Sequence, residues 1–378
     1  MKEKPIYDVV IVGGGLAGLT SAIHLAKHGK SVYLLEKHKY PRHKVCGEYI
    51  SKEVLPYLKS LDFDPFDWGA KDISRVELST VKSHIIKGTL PLGGFGMSRY
   101  ELDKALLRIA KFNDVGAFLP ETVESIHFED DIFTVKTKQK REYLAKVVIG
   151  AFGKRSNLDL KMERPFVKKR SPYFAVKIHV EGDFPEDLVA LHNFKGGYCG
   201  VSKVETNAIN LCYIAKDSEL KPYKRLNEFQ EKVVYKNTYL KELFKNSKPL
   251  FEKPIAISQI SFETKNPVED HIIMCGDTAG MIHPLCGNGM GMAIGSAKLA
   301  SEEILRFLDG HISRSEMEKN YTKSWNKEFK SRLRTGHFIA WLFRNQKVSE
   351  ILLTFLKWFP SLLPLIIRKT HGKPLQSI

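Results

Sequence analysis

The sequence predicts an α/β protein: a parallel-sheet domain at the N-terminus, interrupted by an inserted antiparallel sheet and followed by a helical tail. Three observations predict it. The apolar run Val9-Val10-Ile11-Val12 leads into Gly13-Gly14-Gly15-Leu16-Ala17-Gly18, and after a helix-length stretch a second run, Ser31-Val32-Tyr33-Leu34-Leu35, closes on Glu36. From about 164 to 262 the texture changes to strand-like segments separated by turns. A buried-strand pattern then returns as Ile272-Ile273-Met274-Cys275, ahead of Gly276-Asp277.

The first strand is expected to begin at about Ile6. Gly13 permits a tight turn, Gly15 lets a pyrophosphate approach bare backbone, and Gly18 lets the helix lie close on the sheet. The free N–H groups at the helix start face the phosphates, where the helix dipole favours negative charge. Glu36 is placed to accept hydrogen bonds from the ribose hydroxyls. A lone glycine motif is a weak signal; flanked by both strands and the acid, it reads as a dinucleotide site.

Ser98-Arg99-Tyr100-Glu101 reads as a capping box that starts a helix through Leu102, Leu106, Leu107 and Ile109. Between 118 and 149 the pattern is strand-like and ends in Val147-Val148-Ile149-Gly150, which reads as a buried parallel strand. Segments 174–180, 188–194, 200–204 and 209–214 read as an antiparallel sheet, followed by an amphipathic helix over 226–244. These patterns place the first domain at 1–163 and 263–312, the insertion at 164–262 and the helical tail at 313–378. A second capping box, Ser313-Arg314-Ser315-Glu316, opens the tail. Its end, 351–367, is rich in Leu, Ile, Phe and Trp but carries Pro360 and Pro364. Two readings stay open there: a helix packed across the protein's own sheet, or a lid or membrane-dipping element with Arg368-Lys369 at the lipid surface.

Composition narrows the class. The five cysteines (Cys46, Cys199, Cys212, Cys275, Cys286) are scattered, without a CxxC pair. That fits reduced thiols in a cytoplasmic protein and no disulfide framework. Neither the cysteines nor the histidines have metal-ligand spacing, so no metal is expected. The expected start of the first strand leaves no room for a signal peptide, and no apolar run is long enough to span a bilayer. A formal net charge of +16 is spread along the chain without an aromatic-interleaved basic motif. Attraction to an anionic lipid surface therefore fits better than nucleic-acid binding.

The second half adds Gly276-Asp277-Thr278-Ala279-Gly280, and Pro284-Leu285-Cys286-Gly287-Asn288-Gly289-Met290-Gly291 leading into a helix. A nicotinamide-only enzyme has no need of this second site. With the N-terminal glycine turn, Glu36, Arg42 ahead of Cys46-Gly47-Glu48, and Arg99, the chain resembles, from Tyr7 to about Leu308, the FAD-dependent family of aromatic hydroxylases, geranylgeranyl reductases and flavin halogenases. The resemblance implies a glutathione-reductase-like, FAD-binding Rossmann domain carrying an antiparallel substrate sheet. It implies that Gly13, Gly15, Leu16, Ala17 and Gly18 surround the pyrophosphate and that Glu36 and Lys37 meet the adenosine. It places Arg42 and Arg99 along the phosphates, Val123 at the adenine, and Asp277 as the acid of the GD motif. Gly287, Gly289 and Met290 fall beside the isoalloxazine. The Arg42–Cys46–Gly47 spacing is typical of the geranylgeranyl-reductase branch.

Two departures stand out. The family's Ala-Asp-Gly reads Ala151-Phe152-Gly153 here, which puts direct use of NADPH in doubt and raises a ferredoxin or separate flavin reductase as electron donor. The aromatic–x–Trp–x–Phe–Pro strand of the reductases reads Tyr198-Cys199-Gly200-Val201-Ser202-Lys203, which implies a remodelled substrate pocket and disfavours a halogenase. Three residues are candidates for catalysis. Cys46 is a small residue beside the cofactor or a redox or proton-delivering thiol. His283 is a proton donor near the flavin or a loop histidine with a structural hydrogen bond. Tyr198 lines the substrate pocket or fills the face of the inserted sheet.

The expected activity is that of an FAD-dependent oxidoreductase acting on an apolar small molecule: a lipid, isoprenoid or polyketide. Saturation of a carbon–carbon double bond, with hydride from reduced flavin and a proton from a side chain, is preferred over hydroxylation with oxygen. From other classes, a non-redox flavin isomerase or cyclase and a lipid-escort protein stay open. The complete set of FAD-type residues argues against the escort.

Overall fold

A computed structural model describes residues 5–82, 84–118, 120–344, 346–359 and 361–378. The apolar run folds as β1 (Ile6–Val12), the glycine turn leads into α1 (Leu16–Lys27), and β2 (Val32–Leu35) follows. β1 and β2 pair in parallel, with Val9 opposite Val32 and Val12 opposite Leu35. Val9, Val10 and Ile11 are wholly buried. Strands covered on both faces read as continuous apolar runs, which is why this unit was legible.

The chain then leaves this sheet. β3 (Tyr49–Ser51), β4 (Lys71–Ser79) and β5 (Ile85–Gly96) join a second sheet before the first resumes. The return runs through α2 (Arg99–Phe112), β6 (Gly116–Phe118), the hairpin β7 (Val123–Glu129) and β8 (Ile132–Thr137), and β9 (Glu142–Gly150). β9 lies parallel to β1 on the side opposite β2, as its apolar run predicts.

The inserted stretch supplies β10 (Tyr173–Glu181), β11 (Leu188–Phe194), β12 (Gly197–Lys203) and β13 (Ile209–Lys216), then short β14 (Lys248–Pro249) and β15 (Ile255–Ser258). β16 (Val268–Glu269) and β17 (Ile272–Met274) complete the first sheet, in the order β16-β17-β9-β1-β2-β6 with the β7–β8 hairpin attached to β9. The second sheet runs β14-β10-β13-β12-β11-β4-β5-β3, with β15 also on β10. Helix α3 (Gly289–Leu308) packs with α1. The tail forms α4 (Arg314–Arg344), α5 (Gln346–Trp358) and α6 (Leu362–Thr370).

Several expectations need correction. The second sheet is larger than the 164–262 insertion, because β3, β4 and β5 come from the N-terminal part. It is not wholly antiparallel either: β11 runs parallel to β4, a pairing open to strands joined by a long excursion rather than a hairpin. The helix expected over 226–244 is two pieces, Leu226–Lys232 and Thr238–Asn246. Asn237 parts them: its Oδ1 caps the second piece, while its Nδ2 donates to Ser79, Thr80 and Asn193 in the interior.

The Ser98 box is half formed. Ser98 Oγ accepts from Glu101 N, but the Ser98 N–H goes to Glu205, in the turn between β12 and β13, 2.7 Å away. The Ser313–Glu316 box is complete. Pro364 sits in the first turn of α6, where a missing N–H is tolerated; Pro360 lies outside the described residues. Among the described residues no helix is long and apolar enough to cross a membrane.

Candidate active site

One cavity of about 1740 Å³ is lined by both sheets, by the starts of α1 and α3 and by the tail helices. Its chemistry changes from end to end. At one end Gly13, Gly15, Leu16 and Ala17 line it, with Glu36, Lys37, Arg42, Arg99 and Val123 around them. Gly13 has φ +109°, and a Cβ there collides with the Ala151 carbonyl. Gly18 does not reach the cavity; a Cβ on it collides with the Gly13 carbonyl, so its role is close packing of α1. In front of Gly15 the space is open, and a Cβ there meets only Arg99 Nη2, 4.0 Å away. Gly15 is the N-cap of α1 and offers no side-chain acceptor, so the first N–H groups of the helix have no cap of their own.

Glu36 accepts from the N–H of Gly14 at 2.8 Å and of His38 at 3.0 Å. These bonds fix its carboxylate at the cavity wall. Arg99 is held by a bidentate pair with Asp103, 2.8 and 2.9 Å, and Lys44 reaches the same carboxylate at 2.6 Å. Burial pushes the Asp103 carboxyl up, but the Arg99 and Lys44 charges outweigh it and hold it below the usual range. Two cations on one carboxylate leave a net positive charge facing Gly15, as a phosphate site requires.

The loop before β3 carries Cys46, Gly47 and Glu48 along the cavity wall. Cys46 Sγ lies 3.5 Å from Met290 Sδ, and burial pushes its thiol up, so it stays protonated at neutral pH. Glu48 is wholly buried. It accepts from His179 Nε2 at 2.6 Å, from the buried Lys177 ammonium, and from the Arg99 backbone N–H at 2.7 Å. Asn210 Nδ2 donates to the Cys46 and Gly47 carbonyls at 3.1 and 2.8 Å. The loop is thus pinned to the second sheet at three residues.

Asp277 lies on the cavity wall, and its carboxylate receives no hydrogen bond among the described residues. Burial pushes its carboxyl up, with Lys265, Arg99 and Lys154 pulling the other way. The same burial pulls the Lys154 and Lys265 ammonium groups down to about 8, against the Asp277 charge. Gly287 (φ +64°), Gly289 and Met290 line the middle of the cavity at the start of α3, whose first turn carries no acid and no side-chain cap.

The far end is apolar. Val76 and Leu78 of β4 and Val189 and Leu191 of β11 pack with Leu352, Leu356, Leu363 and Ile366 of α5 and α6. α6 approaches bare backbone: a Cβ on Gly88 of β5 sits 2.8 Å from Leu363. Tyr198 and Gly200 of β12 and Ile214 of β13 also line the cavity, Tyr198 and Ile214 in a neighbouring apolar cluster with Ala175, Ile260 and Leu285. The first reading of the tail is met, since it packs on the protein's own sheet, where it also forms a cavity wall. Buried Glu53 ties the tail down beside α3. It accepts from Arg332 Nη1 at 3.2 Å, from Asn288 Nδ2 at 3.3 Å and from the Gly372 N–H.

His283 is not among the cavity-lining residues. Its Nδ1 accepts from Leu285 N, and its ring packs among Tyr173, Tyr198 and Phe262. Sequence reasoning missed β4 and β5 and named none of the tail residues as lining the cavity. The apolar positions Val76 and Leu78 were the available signal for β4, with Ile73 out of step because the pairing shifts register between Ile73 and Arg75. No cluster of three or more His, Cys, Asp or Glu suited to a metal occurs among the described residues.

These features fit FAD: a glycine cradle that excludes Cβ atoms, an anion site at Arg99, and an unpartnered carboxylate at Asp277. A family model described as FAD dependent oxidoreductase matches residues 8–45. The chain is an FAD-dependent oxidoreductase. It is similar to conditioned medium factor receptor 1 of Dictyostelium discoideum, at 23% identity over 86% of this chain and 69% of that protein. It is also similar to digeranylgeranylglycerophospholipid reductase of Methanosarcina acetivorans, at 23% identity over 89% of this chain and 83% of the relative. Among solved structures, flavin-dependent brominase Bmp2 superposes with a TM-score of 0.78 at 18% identity, over 97% of this chain and 93% of that one. That likeness bears on the fold of this FAD-dependent enzyme.

Proposed function

We propose that this enzyme reduces a carbon–carbon double bond in an apolar lipid, of the isoprenoid kind, with electrons from bound FAD. The observation that carries this reading is the continuity of one cavity from the glycine turn to an apolar chamber. The similarity to a digeranylgeranylglycerophospholipid reductase supports it.

In this reading the N–H groups at the start of α1 and the Arg42 and Arg99 guanidinium groups hold the pyrophosphate. Glu36 and Lys37 hold the adenosine ribose, the Val123 backbone meets adenine, and Asp277 accepts from a ribityl hydroxyl. Gly287, Gly289 and Met290 leave room for the ring system. Bound in its reduced form, FAD supplies the hydride. Cys46, protonated and beside Met290, supplies the proton and regains one from solvent. Tyr198 and the α5–α6 wall orient the chain of the substrate and exclude water. His283 acts through the loop it caps. Phe152 lines the cavity where the family's Asp is absent, which favours a ferredoxin or separate flavin reductase over NADPH as electron donor.

Anaerobic incubation of the FAD-loaded protein with dithionite and a polyprenyl glycerophospholipid tests this by mass spectrometry. A product heavier by two hydrogens is expected. A product that gains oxygen, formed only in air, identifies a hydroxylase; an unchanged mass under both conditions, with flavin bound, contradicts lipid reduction.

A further inference from the structure

The tail helices have a second, outward face that the cavity does not use. Trp341, Ile351, Phe355, Trp358 and Phe359 are exposed large apolar residues, Trp358 at 77% and Ile351 at 70%; Phe338, stacked on Trp341, is exposed too but also lines the cavity. They fall within α4, α5 and the residue that follows α5. An exposed leucine or phenylalanine alone is ordinary; a concentration of them on consecutive helices marks an interaction surface. Two exposed tryptophans add side chains suited to a water–hydrocarbon boundary.

The charge around this face selects the partner. In sequence, the stretch from residue 338 to the C-terminus carries a single acid against six basic residues. Lys357, Arg368 and Lys369 are exposed, the last two at the end of α6. Apolar rings bordered by cations, in a chain of net charge +16, complement a surface that is apolar beneath and anionic on top. The same helices wall the apolar chamber from inside through Leu352, Leu356 and Leu363.

We propose that α4–α6 dock this enzyme onto an anionic lipid bilayer, so that the apolar end of the cavity faces the layer from which its substrate comes. This rests on the lipid-reductase reading for the substrate, but docking itself is read without turnover. Docking would be interfacial, with rings at the headgroup boundary, since no described helix is long and apolar enough to cross.

The test is co-sedimentation of the FAD-loaded full chain with two kinds of vesicle. One is phosphatidylcholine alone; in the other about a third of the lipid is phosphatidylglycerol. The protein is expected to pellet with the anionic vesicles, weakly with the neutral ones, and less as salt is raised. Neither Trp341 nor Trp358 lines the cavity, and Trp341→Ser with Trp358→Ser is expected to weaken binding on the order of tenfold or more with the flavin spectrum unchanged. If that variant loses its flavin, Lys357→Glu with Arg368→Glu serves instead and is expected to abolish the preference for anionic vesicles. Wild-type protein that stays in the supernatant with both vesicles overturns the proposal. So does a variant that binds as well as wild type. A concentration-dependent dimer that the tryptophan variant abolishes overturns it too, because a second copy then covers the face. Docking without lipid reduction, or reduction of detergent-dispersed lipid without docking, separates the fate of this proposal from that of the reductase reading.

Discussion

Gly13→Ala is expected to yield a protein without bound flavin. The residue sits at φ +109°, where an L side chain is strained by about 1–3 kcal/mol. Its new methyl group also collides with the Ala151 carbonyl and lies 2.9 Å from Phe152 Cα. Both neighbours are backbone at the end of β9, so neither yields by a rotamer change. Relief requires moving the turn away from β9, which displaces the N–H groups at the start of α1 from the phosphate position. Gly29→Ala is the control: its φ is +74°, but a Cβ there meets nothing within 4 Å. It carries the strain without the collision and is expected to keep its flavin. Visible absorbance per polypeptide after purification in excess FAD reads both. A Gly13→Ala protein with full flavin occupancy would remove the turn from the site.

Glu48→Gln is expected to cost about 3–5 kcal/mol of stability at neutral pH. Wild-type Glu48 faces the Lys177 ammonium and His179 with all three side chains buried. Removing the carboxylate leaves Lys177 charged, or forced to lose its proton, in a site closed to water. The pH dependence has a definite sign. Burial pushes the Glu48 carboxyl up, but the His179 hydrogen bond and the Lys177 charge outweigh it and hold the folded value below the ordinary one. Its contribution is therefore complete above the ordinary carboxylate range and is lost as pH falls through the folded value. Denaturant unfolding of wild type and variant should differ most at neutral pH and converge in acid. Curves that differ equally at every pH would contradict the ion triad. Because Glu48 also accepts from Arg99 N, the variant is expected to loosen the Arg42–Glu48 loop and weaken FAD binding.

What was legible in the sequence was local. Gly13 to Glu36 is one strand–turn–helix–strand unit whose signals lie within a single pairing, and β1 and β2 form as read. Val147 to Gly150 and Ile272 to Met274 were legible for a related reason, since strands buried on both faces carry unbroken apolar runs. Of the cofactor residues expected, only Gly18 stands off the cavity, behind the turn it supports. What was not legible depends on distant partners. Glu48 meets Lys177 across 129 residues, and nothing near either one announces the pair. Glu205 takes the Ser98 N–H that Glu101 was expected to receive, while the Glu101 carboxylate pairs with Lys104. β4 looks like any half-buried strand, and only its parallel pairing with β11 shows that the second sheet begins before α2. His283 illustrates the converse, as a histidine beside a glycine-rich loop suggests chemistry while its Nδ1 is occupied in capping that loop.

The central claim is that bound FAD and an apolar lipid share one cavity. Its most direct test is a difference spectrum of the FAD-loaded protein titrated, without turnover, with an unsaturated polyprenyl lipid. A saturable shift of the flavin bands is expected, weakened when Leu356→Asp places a charge in the apolar wall. A flavin spectrum that the lipid leaves untouched at every concentration, while the lipid demonstrably binds, would contradict a shared cavity.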